Sequence, residues 1–304
     1  MNKIDGLAKT VRQLLGGTKY SVDYYQREFK WERTQVTELL DDLTSKFLDS
    51  YSEHDERTEV EKYGHYFLGS IIISDKEGQK FVIDGQQRLT TLTLLLIYLN
   101  NLQKGRADSV PVADLIFSEK YARKSFNLEI PERTPCMEAL FNGNSPEEGA
   151  ATESVRNIIA RYGDIEENFD AQLKNQALPY FIDWLIENVH LVEITAYSDE
   201  DAYIIFETMN DRGLSLTSTE MLKGYLLSNI EDSDQRIKSD GIWKERIIEL
   251  AGLGKNEDGD CISAWLRSQF AHSIRERKRN AKPLDFDRIG TEFHRWVREN
   301  QKSL

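Results

Sequence analysis

One short segment of the sequence combines residue types that suit the binding of phosphate. It reads Val82-Ile-Asp-Gly-Gln-Gln-Arg-Leu-Thr-Thr91, in which a predicted strand stops at Asp84-Gly85 and a long apolar helix begins. The amino terminus of a helix offers free N–H groups and a partial positive charge, so it attracts anions. Gly85 has no Cβ and allows a ligand close to the backbone. Arg88 adds a planar cation that matches phosphate.

The neighbouring polar side chains extend the same segment. Gln86 and Gln87 supply amide donors and acceptors, and Thr90 and Thr91 supply hydroxyls one turn into the helix. Together they form a phosphate-binding constellation that is not a Walker A loop. The alternative is a simple cap, with Asp84 as the N-cap residue and a solvated first turn. A polar pentapeptide between an apolar strand and an apolar helix lines either a cleft or an edge, which favours the binding interpretation.

An aromatic segment near the start provides a second candidate. Tyr24-Tyr-Gln-Arg27 is followed by Trp31. An arginine flanked by aromatic rings could hold a phosphate and stack a base. The alternative is a loop whose aromatic side chains anchor it to the core.

A third candidate is the turn Phe206-Glu-Thr-Met-Asn-Asp-Arg-Gly213, followed by Leu216, Thr217 and Lys223. Arg212 and Lys223 could both face a phosphate. The alternative is a helix end, since Asn210 and Gly213 suit a C-cap and a left-handed residue.

The predicted elements give an α+β fold. A β-hairpin is expected over Tyr66–Ile73 and Phe81–Ile83, a buried helix over Leu89–Leu102, and a strand at His190–Thr195. Helices are predicted at about 153–170, 172–188, 199–209, 221–230, 237–251, 260–280 and 285–300. We therefore expect a core with a small sheet at 1–102, a helical continuation with one strand at 103–235, and a basic helical segment at 236–304.

The composition restricts the class of protein. The chain has 304 residues and a net charge of −13, which argues against a surface that coats nucleic acid throughout. Its longest apolar run, Leu94–Leu99, is too short to span a membrane, and no secretory signal follows the start. Cys136 and Cys261 form no CxxC pair, so a reducing cytoplasm is expected. The five histidines fit no metal or nuclease spacing, and no GxSxG is present.

The charge is distributed unevenly along the chain. From Cys261 onward the sequence carries +5, so the preceding part carries −18. A local DNA contact is therefore predicted in this tail at Arg275, Arg277, Lys278 and Arg279. The alternative is that these charges lie on a solvated helix face.

Three motifs in this order resemble the GmrSD-type restriction endonuclease N-terminal domain, a ParB/sulfiredoxin-like family. They are Tyr25-Gln-Arg27 with Trp31, Phe67-Leu-Gly-Ser70 with Ile83 through Leu92, and Phe206 through Gly213 with Lys223. The resemblance covers about residues 10–230, and the Asp-Gly-Gln-Gln-Arg block is its most specific part. It implies a small ParB-like mixed sheet with helices, followed by a mainly helical second half.

The resemblance also implies an activity and its residues. The family's domain binds and hydrolyses nucleoside triphosphates in antiphage systems that act on modified DNA. Asp84, Gln86, Gln87 and Arg88 would be catalytic, and Asp84 would hold Mg²⁺. Nucleotide would also contact Gln26, Arg27, Gly85, Thr90, Thr91, Asn210, Arg212 and Lys223.

The partners implied are a nucleotide, DNA that includes modified DNA, and a His-Asn-His (HNH) nuclease domain or subunit. No nuclease motif occurs in the sequence, so DNA cleavage is expected from that partner. The alternatives are a non-catalytic DNA-binding or sensing module and a scaffold that docks a nuclease. The oligomeric state is open, including a homo-oligomer.

Overall fold

A computed structural model describes residues 4–22, 29–76, 78–120, 123–146, 152–197, 201, 205, 217–230, 232–254, 256–271 and 285–300. These residues form two compact units. The first unit holds the described residues up to 205 and contains a six-stranded sheet with helices. The second holds those from 217 and is helical. The predicted α+β class, with a mainly helical second half, is confirmed.

A mixed sheet organises the first unit. The strands are Ile4–Thr10 (β1), Tyr20–Val22 (β2), Tyr66–Lys76 (β3), Gln79–Asp84 (β4), Phe117–Lys120 (β5), Arg123–Phe126 (β6), Leu128–Glu129 (β7) and Val189–Ala196 (β8). The six-stranded sheet has the order β1-β8-β3-β4-β2-β7, while β5 and β6 form a separate antiparallel ribbon. Strands β4, β2 and β7 are mutually parallel. Their carboxyl ends therefore meet at one edge of the sheet.

Helices cover the sheet and make up the second unit. In the first unit they are Val11–Leu15 (α1), Arg33–Leu48 (α2), Gln86–Leu102 (α3), Ala113–Ile116 (α4), Thr134–Asn142 (α5), Glu153–Asn168 (α6) and Leu178–Glu187 (α7). Short 3₁₀ turns lie at Arg57–Lys62, Pro131–Arg133 and Ala171–Leu173. The second unit contains Ser218–Ser228 (α8), Ser233–Ala251 (α9), Glu257–Phe270 (α10) and Asp285–Glu299 (α11).

Helix α3 lies at the centre of the first unit's core. Every residue from Leu89 to Leu99 is buried, as expected for a leucine-rich helix that is apolar on all sides. Ile71 of β3 and Leu43 of α2 belong to the same apolar cluster. Full burial of one such side chain stabilises the fold by about 1.5–3 kcal/mol. Because these buried residues anchor α3 in the core, they also fix the position of its amino terminus.

The periodicity predicted the central elements better than the edges. The hairpin, the buried helix and the strand near 190 are confirmed as β3–β4, α3 and β8. Strand β1 was not predicted, because Ile4–Thr10 lacks an apolar alternation and pairs with β8 through its backbone. The helix predicted at about 199–209 lies mostly outside the described residues. The division at residues 102 and 235 stays a prediction.

A buried carboxylate joins four strands of the sheet. Glu193 of β8 is 3% exposed, and its Oε1 accepts hydrogen bonds from Lys9 Nζ at 2.6 Å and Lys80 Nζ at 2.9 Å. The hydroxyl of Tyr20 donates to Oε2 at 2.5 Å. Burial opposes ionisation of Glu193, but the hydrogen bonds from Lys9, Tyr20 and Lys80 lower its pKa overall. The ionised form is therefore the one that the fold stabilises.

We expect Glu193→Gln to lower the free energy of unfolding by about 3–5 kcal/mol at pH 7, because it leaves two lysines without their buried partner. Since the folded pKa of Glu193 lies below its usual value of 4.5, its contribution is present above about pH 4.5. That contribution is lost as the pH falls through the lowered pKa, so the gap between the two proteins narrows in acid. Urea unfolding at pH 7 and below pH 4.5 measures both effects.

Glu187→Gln is the matched control, because Glu187 is about half exposed and pairs with Arg12 near the surface. It should cost less than about 1 kcal/mol. A Glu193→Gln protein as stable as the parent at pH 7 would contradict the role of the buried cluster.

Candidate functional site

The turn from β4 into α3 lies tightly against β3. Gly85 is the N-cap residue of α3 and has a φ of +93°, in the left-handed region. A Cβ at this position would lie 2.4 Å from Cγ2 and 3.2 Å from Cα of Ile71. Both the backbone conformation and the contact therefore require glycine. The sequence predicted close approach of a ligand at Gly85, and the group that approaches in the structure is strand β3.

The amino terminus of α3 carries no side-chain cap. The interpretation of Asp84 as N-cap is wrong, because Gly85 occupies that position and Asp84 is the half-buried last residue of β4. The first intrahelical bond runs from the N–H of Leu89 to the carbonyl of Gly85. The preceding N–H groups of the first turn are therefore directed along the axis, where the helix dipole favours an anion.

Gln86 opens α3 with a buried amide. Its side chain is 5% exposed, and neither Nε2 nor Oε1 has a hydrogen-bond partner among the described residues. The hydroxyls of Thr90 and Thr91 are also buried without a partner there. Buried polar groups in native proteins are nearly always hydrogen-bonded, and an unsatisfied one costs about 1–3 kcal/mol. Such a group at a helix amino terminus is typical of a binding site.

Arg88 lies along strand β3. Its Nη1 donates to the carbonyl of Ser70 at 2.6 Å, and within the described residues this is its one hydrogen bond. A Cβ on Gly69 would lie 3.4 Å from Cζ of Arg88, so the absence of a side chain makes room for the guanidinium. Gly69 has a φ of +111° at a bulge in the pairing of β3 with β8. The Leu-Gly-Ser and Asp-Gly-Gln-Gln-Arg motifs are thus in direct contact.

Gln87 holds the segment that follows the aromatic motif. Its Oε1 accepts hydrogen bonds from the backbone N–H of Lys30 at 3.0 Å and of Trp31 at 3.2 Å. The family resemblance implies a catalytic role for both Gln86 and Gln87. Because the side-chain oxygen of Gln87 is bound to the backbone, Gln86 is the better candidate for that role.

Helix α6 holds the same segment from another side. Asn157 Nδ2 donates to the carbonyl of Phe29 at 2.8 Å, and Arg161 Nη1 donates to the carbonyl of Trp31 at 3.0 Å. The oxygen of Ser154 accepts from the N–H of Phe29 at 3.3 Å. Residues 29–31 are therefore fixed between α3 and α6. No sequence pattern pointed to these α6 residues, because their partners are backbone atoms far away in the chain.

The family model described as GmrSD restriction endonuclease, N-terminal domain, matches residues 11–227. The chain belongs to this family. Membership implies a role in a restriction system. No curated protein matches the chain.

The matched region of the GmrSD N-terminal domain covers all three motifs of the sequence. Of the three, only the second, Phe67–Ser70 with Ile83–Leu92, lies wholly within the described residues. Gln26, Arg27, Asn210 and Arg212 lie outside them, as do the tail residues Arg275, Arg277, Lys278 and Arg279. Their predicted binding roles stay predictions.

Lys223, the last residue predicted to bind nucleotide in the GmrSD N-terminal domain, lies in the second unit. Its side chain is buried, and its Nζ lies 2.6 Å from Oδ1 of Asp240, whose Oδ2 lies 3.2 Å from Nζ of Lys244. Lys223 on α8 therefore has a carboxylate partner on α9, and its nucleotide role stays a prediction.

Two absences apply to the described part of this GmrSD N-terminal domain. No group of three or more His, Cys, Asp or Glu side chains there could hold a metal ion. The magnesium role of Asp84 stays a prediction. No helix within the described ranges has the length and hydropathy to cross a membrane.

We expect Gly85→Ala to destabilise the protein by about 2–5 kcal/mol. Left-handed backbone costs a non-glycine residue about 1–2 kcal/mol, and overpacking against Ile71 adds about 1–3 kcal/mol. Gly78→Ala is the matched control, because Gly78 has a φ of +84° but a Cβ added there would meet nothing within 4 Å. It should show the backbone cost alone. Denaturant unfolding of both variants checks the difference, and equal losses would contradict the contact with β3.

Proposed function

We propose that the chain binds a nucleoside triphosphate at the amino terminus of α3 and hydrolyses it with Mg²⁺. In this proposal it is the regulatory domain of a restriction system that acts on modified DNA. The single observation that carries the proposal is the buried carboxamide of Gln86, which has no hydrogen-bond partner among the described residues. It lies at the start of a helix that lacks a side-chain cap. Family membership supplies the restriction context.

Phosphate would be held by the first turn of α3. Backbone N–H groups of Gln86, Gln87 and Arg88 would donate to its oxygens, and the helix dipole would add a favourable field. The amide of Gln86 would complete this set and satisfy its own hydrogen bonds at the same time. Because Arg88 is already fixed against Ser70, little side-chain entropy is lost when it binds an anion.

Hydrolysis would rest on charge stabilisation. A guanidinium beside the transferred phosphoryl group stabilises the charge that develops there, which is the main catalytic task in this chemistry. Arg88 would fill that role, Asp84 would hold the metal ion, and Gln86 would orient the attacking water. Cutting of DNA is assigned in this proposal to an HNH-type nuclease domain or subunit.

We expect Arg88→Ala to lower nucleoside triphosphate turnover at least about a hundredfold in the presence of Mg²⁺, because one charge-stabilising donor is removed. Phosphate release by the purified chain measures this. Arg246→Ala is the control, since Arg246 is an exposed arginine of α9 paired with Glu249, and it should retain full turnover. Equal turnover by Arg88→Ala and the parent, or no nucleotide binding by the parent, would refute the proposal.

We expect Gln86→Leu to keep or raise stability while nucleotide affinity falls at least about tenfold. Leucine fills a similar volume and removes two unsatisfied buried polar atoms, which relieves a cost of about 1–3 kcal/mol. Thermal unfolding and calorimetric titration of nucleotide measure the two effects.

Gln103→Leu provides the opposite control, because Gln103 is the C-cap residue of the same helix. Gln103 is equally buried, but its amide exchanges hydrogen bonds with the backbone of Val110 at 2.6 and 2.7 Å. This variant should lose stability and keep its nucleotide affinity. If Gln86→Leu were destabilised like Gln103→Leu without any loss of binding, the amide of Gln86 would be structural.

A further inference from the structure

The two edges of the six-stranded sheet differ in how they are protected. Strand β7 forms one edge and has two residues, Leu128–Glu129, which are followed by Ile130 and Pro131. A very short edge strand with a proline close behind it offers little backbone to another chain. Strand β1, Ile4–Thr10, forms the opposite edge and has seven residues without a proline. Its outer side therefore presents a longer row of backbone N–H and carbonyl groups.

Strand β1 is regular and is firmly held on its inner side. All seven of its residues pair with β8 in one antiparallel register that no bulge interrupts. The Nζ of Lys9 adds a hydrogen bond of 2.6 Å to Glu193 of β8, and Thr10 forms a capping box at the start of α1. A strand held in this way already has the conformation that a further strand needs, so pairing costs little conformational entropy.

Strand β1 is also exposed and carries apolar side chains. Leu7 is 59% exposed and Ile4 is 44% exposed, and Gly6 and Ala8 between and beside them are exposed as well. Among the described residues, β8 is the one strand that pairs with β1. A long, regular and exposed edge strand with apolar residues is a template for pairing with another chain.

The sequence of β1 is complementary to itself in the antiparallel direction. Leu7 is its middle residue, so a second copy turned about a two-fold axis through Leu7 overlaps all seven residues. Leu7 then lies opposite Leu7 of the second copy, and Asp5 of each copy lies opposite Lys9 of the other. Opposite charges that face each other across two strands stabilise the pairing. A shift of the register by one residue would remove both the full overlap and the opposition of Asp5 and Lys9.

Asp5 and Lys9 can keep their present hydrogen bonds in this arrangement. The hydroxyl of Tyr197 donates to Oδ2 of Asp5 at 2.8 Å, and Lys9 is bound to Glu193. A carboxylate accepts several hydrogen bonds and an ammonium group donates three. Attraction between Asp5 and Lys9 of two copies therefore does not require either bond to break.

We propose that β1 pairs in the antiparallel direction with β1 of a second copy of this chain, centred on Leu7. The two six-stranded sheets then join into one sheet of twelve strands. Both copies use the same surface, which is the arrangement that closes a two-fold dimer. Association through β1 does not depend on nucleotide binding, because no residue of α3 takes part in it.

The test is sedimentation equilibrium of the full chain over a wide range of protein concentration. We expect the mass of the parent to approach that of two chains as the concentration rises. Leu7→Lys should raise the dissociation constant at least about tenfold, because two like charges replace an apolar contact. The variant should still fold, since residue 7 lies opposite Glu193 of β8 and a lysine there gains an attractive neighbour. Ile248→Lys is the control, because Ile248 is 72% exposed on α9 of the second unit, and it should associate like the parent.

Leu7→Cys tests the register and keeps the test decisive if Leu7→Lys fails to fold. It is made together with Cys261→Ser, because Cys261 is exposed whereas Cys136 is buried. Directly opposite residues of an antiparallel pair have Cα atoms about 4.5–5.5 Å apart, which a disulfide can span. Mild oxidation should therefore link two chains. Ile4→Cys in the same background is the control, because the two copies of residue 4 would lie about 20 Å apart and should not be linked.

Each other outcome counts against pairing through β1. A parent chain that stays monomeric at every concentration overturns the proposal. Unchanged association in a folded Leu7→Lys protein also overturns it, as does a dimer that Ile248→Lys dissociates and Leu7→Lys does not. Equal cross-linking of Leu7→Cys and Ile4→Cys, or none in Leu7→Cys, contradicts the register centred on Leu7.

Discussion

The contact between Gly85 and Ile71 determines the geometry of the site. Because nothing separates the two backbones at this point, α3 begins directly against β3. That start places Arg88 over the bulge at Gly69 and lets Gln87 reach residues 29–31. A larger residue at position 85 would move the helix away, and each of these contacts would lengthen together. The absence of a Cβ at Gly85 therefore allows two glycine-containing motifs from different parts of the sequence to contact each other.

The proposed site on α3 sets binding against stability. The helix is buried from Leu89 to Leu99, which anchors it firmly. The same helix carries Gln86 and Thr90, whose buried polar atoms find no partner within the described residues. Such groups weaken the isolated fold, and the apolar core provides enough stability to tolerate them. A site that holds polar groups ready for a ligand avoids the cost of rearranging them on binding.

The sequence predicted the elements whose patterns are local. The leucine-rich run predicted α3, and the alternation of apolar residues predicted β8. The sequence also marked Gly85 as a position of close approach. It did not predict which group approaches Gly85, because the partner strand is set by tertiary packing. The hydrogen bonds of Gln87 escaped detection because they end on backbone atoms, which no side-chain pattern marks.

The way in which residues 29–31 are held has a consequence for sequence variation among related proteins. Gln87, Asn157 and Arg161 all bind main-chain atoms of this segment, so the identities of its own side chains matter little to those bonds. Replacing Lys30 by another residue would therefore leave these hydrogen bonds intact. Positions 87, 157 and 161 have no such freedom, because each must keep a group of the right polarity and length. Divergence should accumulate at the exposed Lys30 and spare the residues that hold the segment.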